Sequence, residues 1–308
     1  MELLKKIFGL LKQTFKEYQE DNISRLAAAL AYYTIFSLAP LLIIAISVAG
    51  FIWSQRAAES QVLAQMESLL GPQGTNFIQS LLDNASSHLQ DGGGVFTTVI
   101  GVGVLIFGSV KAFRELREAL NTIWDVETPK QKGLWNSMKA VIKTDVLSFA
   151  MVMGVGFLLI VSLIFSTLLS TLGEILKSSL PLPNVWMAIL NNLVTLFIFT
   201  IVFSILFKYL PQTRIAWGDV TLGGFVTALL FLAGKALIGL YLGNSSIGAS
   251  FGAAGSLALL LVWIYYSAQI LFLGAEFTQV YANQYGSNIP KYVNKMPESK
   301  SRLEAENV

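Results

Sequence analysis

Six apolar runs divide this chain of 308 residues, and each can cross a lipid bilayer as a helix, alone or with its flanking residues. A transmembrane helix needs roughly 20 apolar residues, because the hydrocarbon layer is about 30 Å thick. The shortest run, VFTTVIGVGVLIFGSV, continues into the helix-forming stretch KAFRELREALNTIW. We therefore predict an all-α, polytopic membrane protein with six transmembrane helices, at about residues 27–53, 95–110, 146–169, 185–207, 220–241 and 253–280.

Composition excludes most other classes of protein. Charged residues make up 13% of the chain and apolar residues 54%, whereas a soluble domain carries about 25% charged residues. A net charge of +2 gives no sign of a nucleic-acid partner. With no cysteine and a single histidine, His88, the sequence predicts no metal site, no cofactor and no catalytic residues.

Lysine and arginine are distributed very unevenly between the segments that join the runs. The lead 1–26, connections 111–145 and 208–219 and the tail 281–308 hold 18 of the 21, while the three alternate connections hold two and Lys235 lies inside a run. Cytoplasmic loops carry the excess of basic residues. We therefore expect a multi-pass membrane protein with both termini in the cytoplasm and a flexible tail.

Two segments outside the runs have helical amphipathic patterns. The first run follows a lead of 26 residues that contains many charges, and it is far longer than a signal-peptide core, so we expect it to be retained. Within the lead, apolar residues from Leu3 to Tyr18 recur on one face, which predicts either an interfacial helix or a solvated helix packed on the bundle. The connection 54–94 predicts two short interfacial helices, separated by Gly71-Pro72-Gln73-Gly74.

Charged residues at membrane depth are costly and mark candidate functional sites. Lys235 lies about 22 Å from the inner surface and Glu276 about 6 Å from it, so a direct ion pair between them is excluded. Lys235 either extends to outer-leaflet phosphates or holds an anionic group in a cavity. Glu276 and Arg114 are expected to form a structural ion pair or a gating pair at the inner mouth. Other charges at that level are Arg25, Lys111, Asp145, Lys208 and Asp219.

Smaller features complete the candidate site. Pro40 lies within the first run, where it predicts a kink. The patterns Gly239xxxGly243 and Gly248xxxGly252 allow close helix packing, which permits a homo-oligomer. Asp145 and Asp219 each precede a run and are expected to cap a helix. Asn191, Asn192 and Gln269 are expected to join helices by hydrogen bonds.

Three stretches together resemble one family. AAALAYYTIFSLAPLLII, FRELREALNTIW and FGAAGSLALLLVWIYYSAQILFLGAEF are similar to the YihY/BrkB family of bacterial inner-membrane proteins, as is YLPQTRIAW with the run after it. The family often has Tyr-Gly where this chain has Phe251-Gly252. The resemblance implies a six-span protein without a settled activity, although some members are linked to serum resistance and one branch to export of lipopolysaccharide precursors. It assigns no chemistry to the family's prominent positions, which fall here on Tyr32, Pro40, Arg114, Asn121, Lys235, Gly252, Gly274 and Glu276.

These observations favour a transporter or flippase-like protein that moves a lipid or another amphipathic anion, with membrane lipids as its partners. The candidate binding or gating residues are Lys235, Glu276, Arg114, Pro40, Tyr32, Asn121 and Gly252. The alternatives are a scaffold or envelope-assembly factor that transports nothing, and a lipid enzyme, for which the sequence offers no convincing catalytic pair. An old family label, ribonuclease BN, conflicts with the lone histidine, because a metal-dependent nuclease needs a ligand cluster.

Overall fold

The computed structural model describes residues 2–50, 54–90, 111–126, 184–244 and 255–287. All regular structure in these residues is helical. The helices are α1 (Glu2–Glu20), α2 (Ile23–Gly50), α3 (Gln55–Gln90), α4 (111–123), α5 (Asn184–Tyr209), α6 (Trp217–Asn244) and α7 (Gly255–Gln284).

Among the described residues, three helices are long and apolar enough to cross a membrane: α5 over Asn192–Tyr209, α6 over Trp217–Ile238 and α7 over Leu257–Gln284. They correspond to the last three predicted spans. Residues 27–50 of the first predicted span belong to α2. The spans predicted at 95–110 and 146–169, and the tail from residue 288, lie outside the described residues.

The central part of the bundle is an antiparallel row in which α5 packs on α6 and α6 on α7. Four aromatic rings join these helices: Phe203 lies 5.8 Å from Phe231, which also lies 5.0 Å from Phe199 and 6.4 Å from Trp263, between ring centroids. Such offset and edge-on contacts add to the burial of the rings themselves. The helices α1, α2 and α3 also pack against α7, and α3 contacts α6 as well.

The exterior of this bundle is apolar and several of its buried side chains are polar. Large apolar side chains exposed on α5 and α6 include Leu193, Phe197, Leu229 and Leu237, and Phe197 and Leu237 are about two-thirds exposed. A large exposed apolar area on a protein is usually covered by lipid or by another protein. Because it surrounds helices of spanning length, a lipid bilayer is the natural partner.

The structure corrects the prediction of two short helices in the connection 54–94, because α3 is one helix of 36 residues. One groove is nevertheless lined by Ser60 and Leu63 together with Asn76 and Gln79. In a straight helix, residues 60 and 76 would lie about 24 Å apart. The helix therefore bends between these two groups of residues. Pro72 lies in this part of α3 and has no backbone N–H to donate, which explains a bend, while the other backbone hydrogen bonds keep the segment helical.

The lead helix α1 packs on α7 through one face and leaves its predicted apolar face uncovered. Leu10 and Thr14 are buried, and Tyr18 donates a hydrogen bond of 3.0 Å to Oε1 of Gln269 on α7. This bond confirms that Gln269 joins helices. The exposed apolar side chains of α1 are Ile7, Phe8, Leu11 and Phe15. The helix thus combines both expected arrangements, packing on the bundle and presenting an apolar face outward.

Candidate functional site

The contacts between α6 and α7 fix the relative depth of the candidate residues. Gly223 and Thr227 of α6 lie against Thr278 and Gly274 of α7 respectively, and Gly234 lies against Ile270 and Tyr266. Glu276 is therefore level with residues near 225, about ten residues from Lys235. At 1.5 Å per residue, the two charges are about 15 Å apart along the helix axes. This spacing agrees with the prediction that they form no ion pair.

Glu276 lies where several buried polar groups gather, which we call the Glu276 end of the bundle. It is formed by the α1–α2 turn, the end of α4, the α5–α6 turn at 210–216 and the end of α7. Apolar residues from each of these elements, among them Ile23, Trp124 and Leu210, form one core cluster. Buried polar side chains at this end are Arg117, Asn121, Asp219, Glu276, Thr278 and Gln279.

Asn121 has a structural role at this end. Its side-chain Oδ1 accepts a hydrogen bond of 2.9 Å from the backbone N–H of Gln212, which joins α4 to the α5–α6 turn. Its carbonyl accepts the N–H of Val126, at 2.8 Å, and so closes the end of α4. Lys208 also stabilises the α5–α6 turn, by donating to the carbonyl of Ile215 and lying 5.6 Å from the ring centroid of Trp217.

Asp219 fastens the start of α6 to the end of α7. Its Oδ2 accepts hydrogen bonds from the backbone N–H of Ser287, at 3.0 Å, and from the Ser287 hydroxyl, at 2.6 Å. The carboxylate lies in the first turn of α6, where negative charge is favoured by the helix dipole. The sequence predicted a helix cap, and the structure adds a bond between two helices that the sequence did not indicate.

Glu276 is fully buried, and neither of its carboxyl oxygens has a well-formed hydrogen bond. Arg114 therefore donates no hydrogen bond to Glu276, and an ion pair or gating pair between the two residues stays a prediction. Arg114 is partly buried on α4. The group that faces Glu276 is another carboxyl, that of Asp21 in the α1–α2 turn. Spacing along the sequence could not identify this partner, because 255 positions separate the two residues.

Lys235 lies near the other end of α6, three residues before the end of its candidate span. Its side chain is partly exposed, and no ion pair joins it to a carboxylate of the described residues. The next two residues, Ala236 and Leu237, are exposed. Lys235 is thus a cation without a protein counter-charge among these residues, and it borders the apolar surface of the bundle.

The other candidate residues are spread over the molecule. Tyr32 is exposed on α2, with its ring against Tyr33 and Phe36. Pro40 lies within the continuous helix α2, and Gly252 lies outside the described residues. Of the charges predicted near the inner surface, Arg25 is exposed and Lys111 lies 4.9 Å from the ring centroid of Tyr33. Asp145 also falls outside the described residues.

Two contacts between helices were not predicted from the sequence. One is the contact between the carboxyls of Asp21 and Glu276. In the sequence, Asp21 follows the lead helix and resembles an ordinary turn residue. The other is the contact between the motifs Gly223xxxThr227 of α6 and Gly274xxxThr278 of α7. A search for two glycines four residues apart does not detect these motifs. Small-residue spacings that include threonine would have found them. The predicted patterns Gly239xxxGly243 and Gly248xxxGly252 gain no structural support, since the surroundings of the first are not described and the second lies outside the described residues.

The apolar exterior, the helices of spanning length and the polar groups buried among them define a helical membrane protein. Residues 14–299 match the family model described as Virulence factor BrkB, and the chain belongs to this family.

Curated relatives carry the same general description. The chain is 26% identical over 279 residues to a UPF0761 membrane protein of Alcanivorax borkumensis, covering 90% of this chain and 60% of the relative. A UPF0761 membrane protein of Teredinibacter turnerae is 28% identical, with 93% and 64% covered, and one of Psychromonas ingrahamii is 26% identical, with 90% and 89% covered. The chain thus spans about three fifths of the first of these relatives. No solved structure matches it.

Proposed function

We propose that this protein moves anionic amphiphiles, most simply anionic lipids, from one leaflet of a bacterial inner membrane to the other. The observation that carries the proposal is Lys235, a partly exposed cation in an apolar helix with no carboxylate partner among the described residues. A lone charge in such a place is costly and usually serves a substrate or ion pathway. An ammonium group beside a lipid-facing surface suits the anionic head group of a lipid whose chains remain in the bilayer.

The proposed topology has six spans, with both termini in the cytoplasm. It is supported by the distribution of basic residues, 18 of the 21 falling in alternate segments. In this topology the Glu276 end faces the cytoplasm and Lys235 lies in the outer half of the membrane. A head group held at Lys235 would therefore be close to the outer leaflet, at one end of its path.

The experiment is a translocation assay in proteoliposomes with fluorescent phosphatidylglycerol, scored by the fraction of probe that an impermeant quencher reaches. Wild-type protein is expected to speed exchange of phosphatidylglycerol more than that of phosphatidylcholine. Lys235→Met is expected to remove most of this acceleration, and Lys235→Arg to keep it, because the positive charge is what binds the head group. Arg214→Gln, which removes an exposed charge in the α5–α6 turn, is the matched control.

Each outcome decides between functions. Exchange no faster than in protein-free liposomes would favour a scaffold or assembly factor. Acceleration that persists unchanged in Lys235→Met would remove Lys235 from the mechanism, and equal acceleration of both lipids would exclude recognition of the negative charge.

A further inference from the structure

Glu276 is a buried acidic residue that has no role in the lipid-binding proposal. Its side chain has no solvent-exposed surface, and neither carboxyl oxygen accepts a hydrogen bond from a donor group of the described residues. A buried carboxylate without donors or a counter-ion is strongly disfavoured, and such a group becomes neutral instead. The buried position thus requires either a proton on the carboxyl or a cation beside it.

The Asp21 carboxyl lies within hydrogen-bonding reach of the Glu276 side chain. Asp21 is held there by the turn between α1 and α2, in which Asn22 has a φ of 54°. Asparagine tolerates this left-handed conformation better than most residues do. The carbonyl of Asn22 then accepts the N–H of Arg25, at 2.8 Å, in the first turn of α2. The backbone of the turn therefore brings the two carboxyls together.

The charges that act most strongly on the two carboxyls are all acidic. They belong to Glu17 and Glu20 of α1 and to Asp125, which comes after α4 with a φ of 51°. Lys16 forms an exposed ion pair of 3.2 Å with Glu20. Of the basic residues on neighbouring elements, Arg25 of α2 is exposed, and Arg114 and Arg117 of α4 donate no hydrogen bond to the Glu276 carboxyl.

A metal ion is not favoured as the neutralising group. No group of three or more acidic, histidine or cysteine side chains within the described ranges has the arrangement that a metal ion needs. A proton needs only two oxygen atoms, one to carry it and one to accept a hydrogen bond. Two carboxyls that share a site and one proton are a familiar arrangement, since both cannot be ionised at short distance.

Asp21 already shows the effect of this environment. The pKa of Asp21 is raised to about 6, chiefly by burial and also by the charges of Asp125, Glu17 and Glu20, while its contact with Glu276 acts in the opposite direction. Burial disfavours the charged form of a carboxyl. Because Glu276 is fully buried and Asp21 is only partly buried, the proton of the pair resides on Glu276, which donates to Asp21.

We propose that Asp21 and Glu276 form a proton-binding site, in which the protonated carboxyl of Glu276 donates to the carboxylate of Asp21 and so joins the α1–α2 turn to α7. The proton is exchanged with water, and no other bond is made or broken. When the shared proton leaves, two adjacent negative charges repel, and the turn separates from α7 together with the end of α1. The site is independent of the lipid-binding proposal, because it lies about 15 Å from Lys235.

Infrared spectroscopy in proteoliposomes tests the site directly. Wild-type protein is expected to show a C=O stretching band of a protonated carboxyl that disappears on alkaline titration. Glu276→Gln should lack this band, since the amide keeps the hydrogen-bond donor but carries no titratable proton. Asp21→Asn should shift the band, because the acceptor of the hydrogen bond changes. Glu118→Gln, a change of an exposed carboxyl on α4, should leave the band unaltered.

Thermal unfolding across a pH series provides the second measurement. Because the pKa of Asp21 is about 6 in the folded protein and 3.8 ordinarily, the stability due to its protonation is complete below the lower value and lost as the pH rises through the higher one. The melting temperature of Asp21→Asn should therefore rise relative to wild type as the pH increases through about 6. Glu118→Gln should show no such change.

The proposal would be overturned by a band that persists in Glu276→Gln, or by wild-type protein without a protonated-carboxyl band. A melting difference between Asp21→Asn and wild type that stays constant with pH would equally contradict it. Since Asp21 lies in a turn and is only partly buried, its variant gives a reading even if Glu276→Gln does not fold.

Discussion

Thr227 of α6 and Gly274 of α7 are in such close contact that a Cβ placed on the glycine would lie 2.0 Å from the threonine Oγ1. One turn further along, the roles are exchanged, and a Cβ on Gly223 would lie 1.9 Å from Oγ1 of Thr278. Each threonine hydroxyl donates to the carbonyl of the glycine four residues earlier, at 2.7 and 2.6 Å. The two helices approach closely because each offers a glycine to the other's threonine.

Gly274→Ala is expected to destabilise the protein by about 1–3 kcal/mol, the usual cost of inserting a methyl group into a packed interior. The methyl would meet a threonine whose hydroxyl is already held by its own helix. The melting temperature in detergent measures the effect. Gly218→Ala is the matched control, because a Cβ at Gly218 has no atom within 4 Å. Equal melting temperatures for the two variants would show that the helices are not in close contact at Gly274.

The Asp219–Ser287 contact predicts a graded loss of stability. Ser287→Ala removes the hydroxyl and leaves the backbone donor, whereas Asp219→Ala removes both hydrogen bonds and a negative charge from the first turn of α6. Hydrogen bonds to charged groups contribute about 1.5–3 kcal/mol each. We expect the melting temperature to fall in the order wild type, Ser287→Ala, Asp219→Ala. Thr221→Ala, which loses only a bond within its own helix, should have a small effect. The reverse order would contradict this account of the contact.

Asn121 should affect stability and not lipid movement. Asn121→Leu keeps the volume but removes the acceptor of the Gln212 N–H. The expected cost is about 1 kcal/mol, since Gln212 is exposed and water can replace the lost bond. Measured at a temperature where the variant is fully folded, the rate of phosphatidylglycerol exchange should equal that of wild type. A lower rate in folded protein would assign Asn121 a direct part in transport.

The exposed apolar face of α1 should lie in the membrane interface. The chain has no cysteine, so a spin label can be attached at one introduced site. A label on Phe8→Cys is expected to be more accessible to oxygen, which partitions into lipid, than to a water-soluble nickel chelate. Lys6→Cys, also exposed on α1, should show the opposite preference. Equal preference for the chelate at both sites would indicate a helix surrounded by water.

The sequence predicted those features that depend on the length of an apolar run or on the spacing of residues along a helix. The last three spans, the amphipathic lead helix and the separation of Lys235 from Glu276 all rest on counting residues along a helix, and the structure agrees with them. Pairing by depth did not identify Asp21 as a neighbour of Glu276, because it favours opposite charges and cannot show which turn lies over a buried carboxyl. The turn residues Gly71-Pro72 predicted a break in α3, where the chain bends and remains helical.

The proposed six-span topology is tested most directly by single-cysteine labelling in intact cells, since the depths of Lys235 and Glu276 depend on it. Ser60 of α3 and Gln19 of α1 are both exposed and lie on opposite sides of the membrane in the proposal. A membrane-impermeant maleimide is expected to label Ser60→Cys in intact cells and Gln19→Cys only after lysis. Labelling of Gln19→Cys from outside, or protection of Ser60→Cys until lysis, would contradict the topology and the positions assigned to both charges.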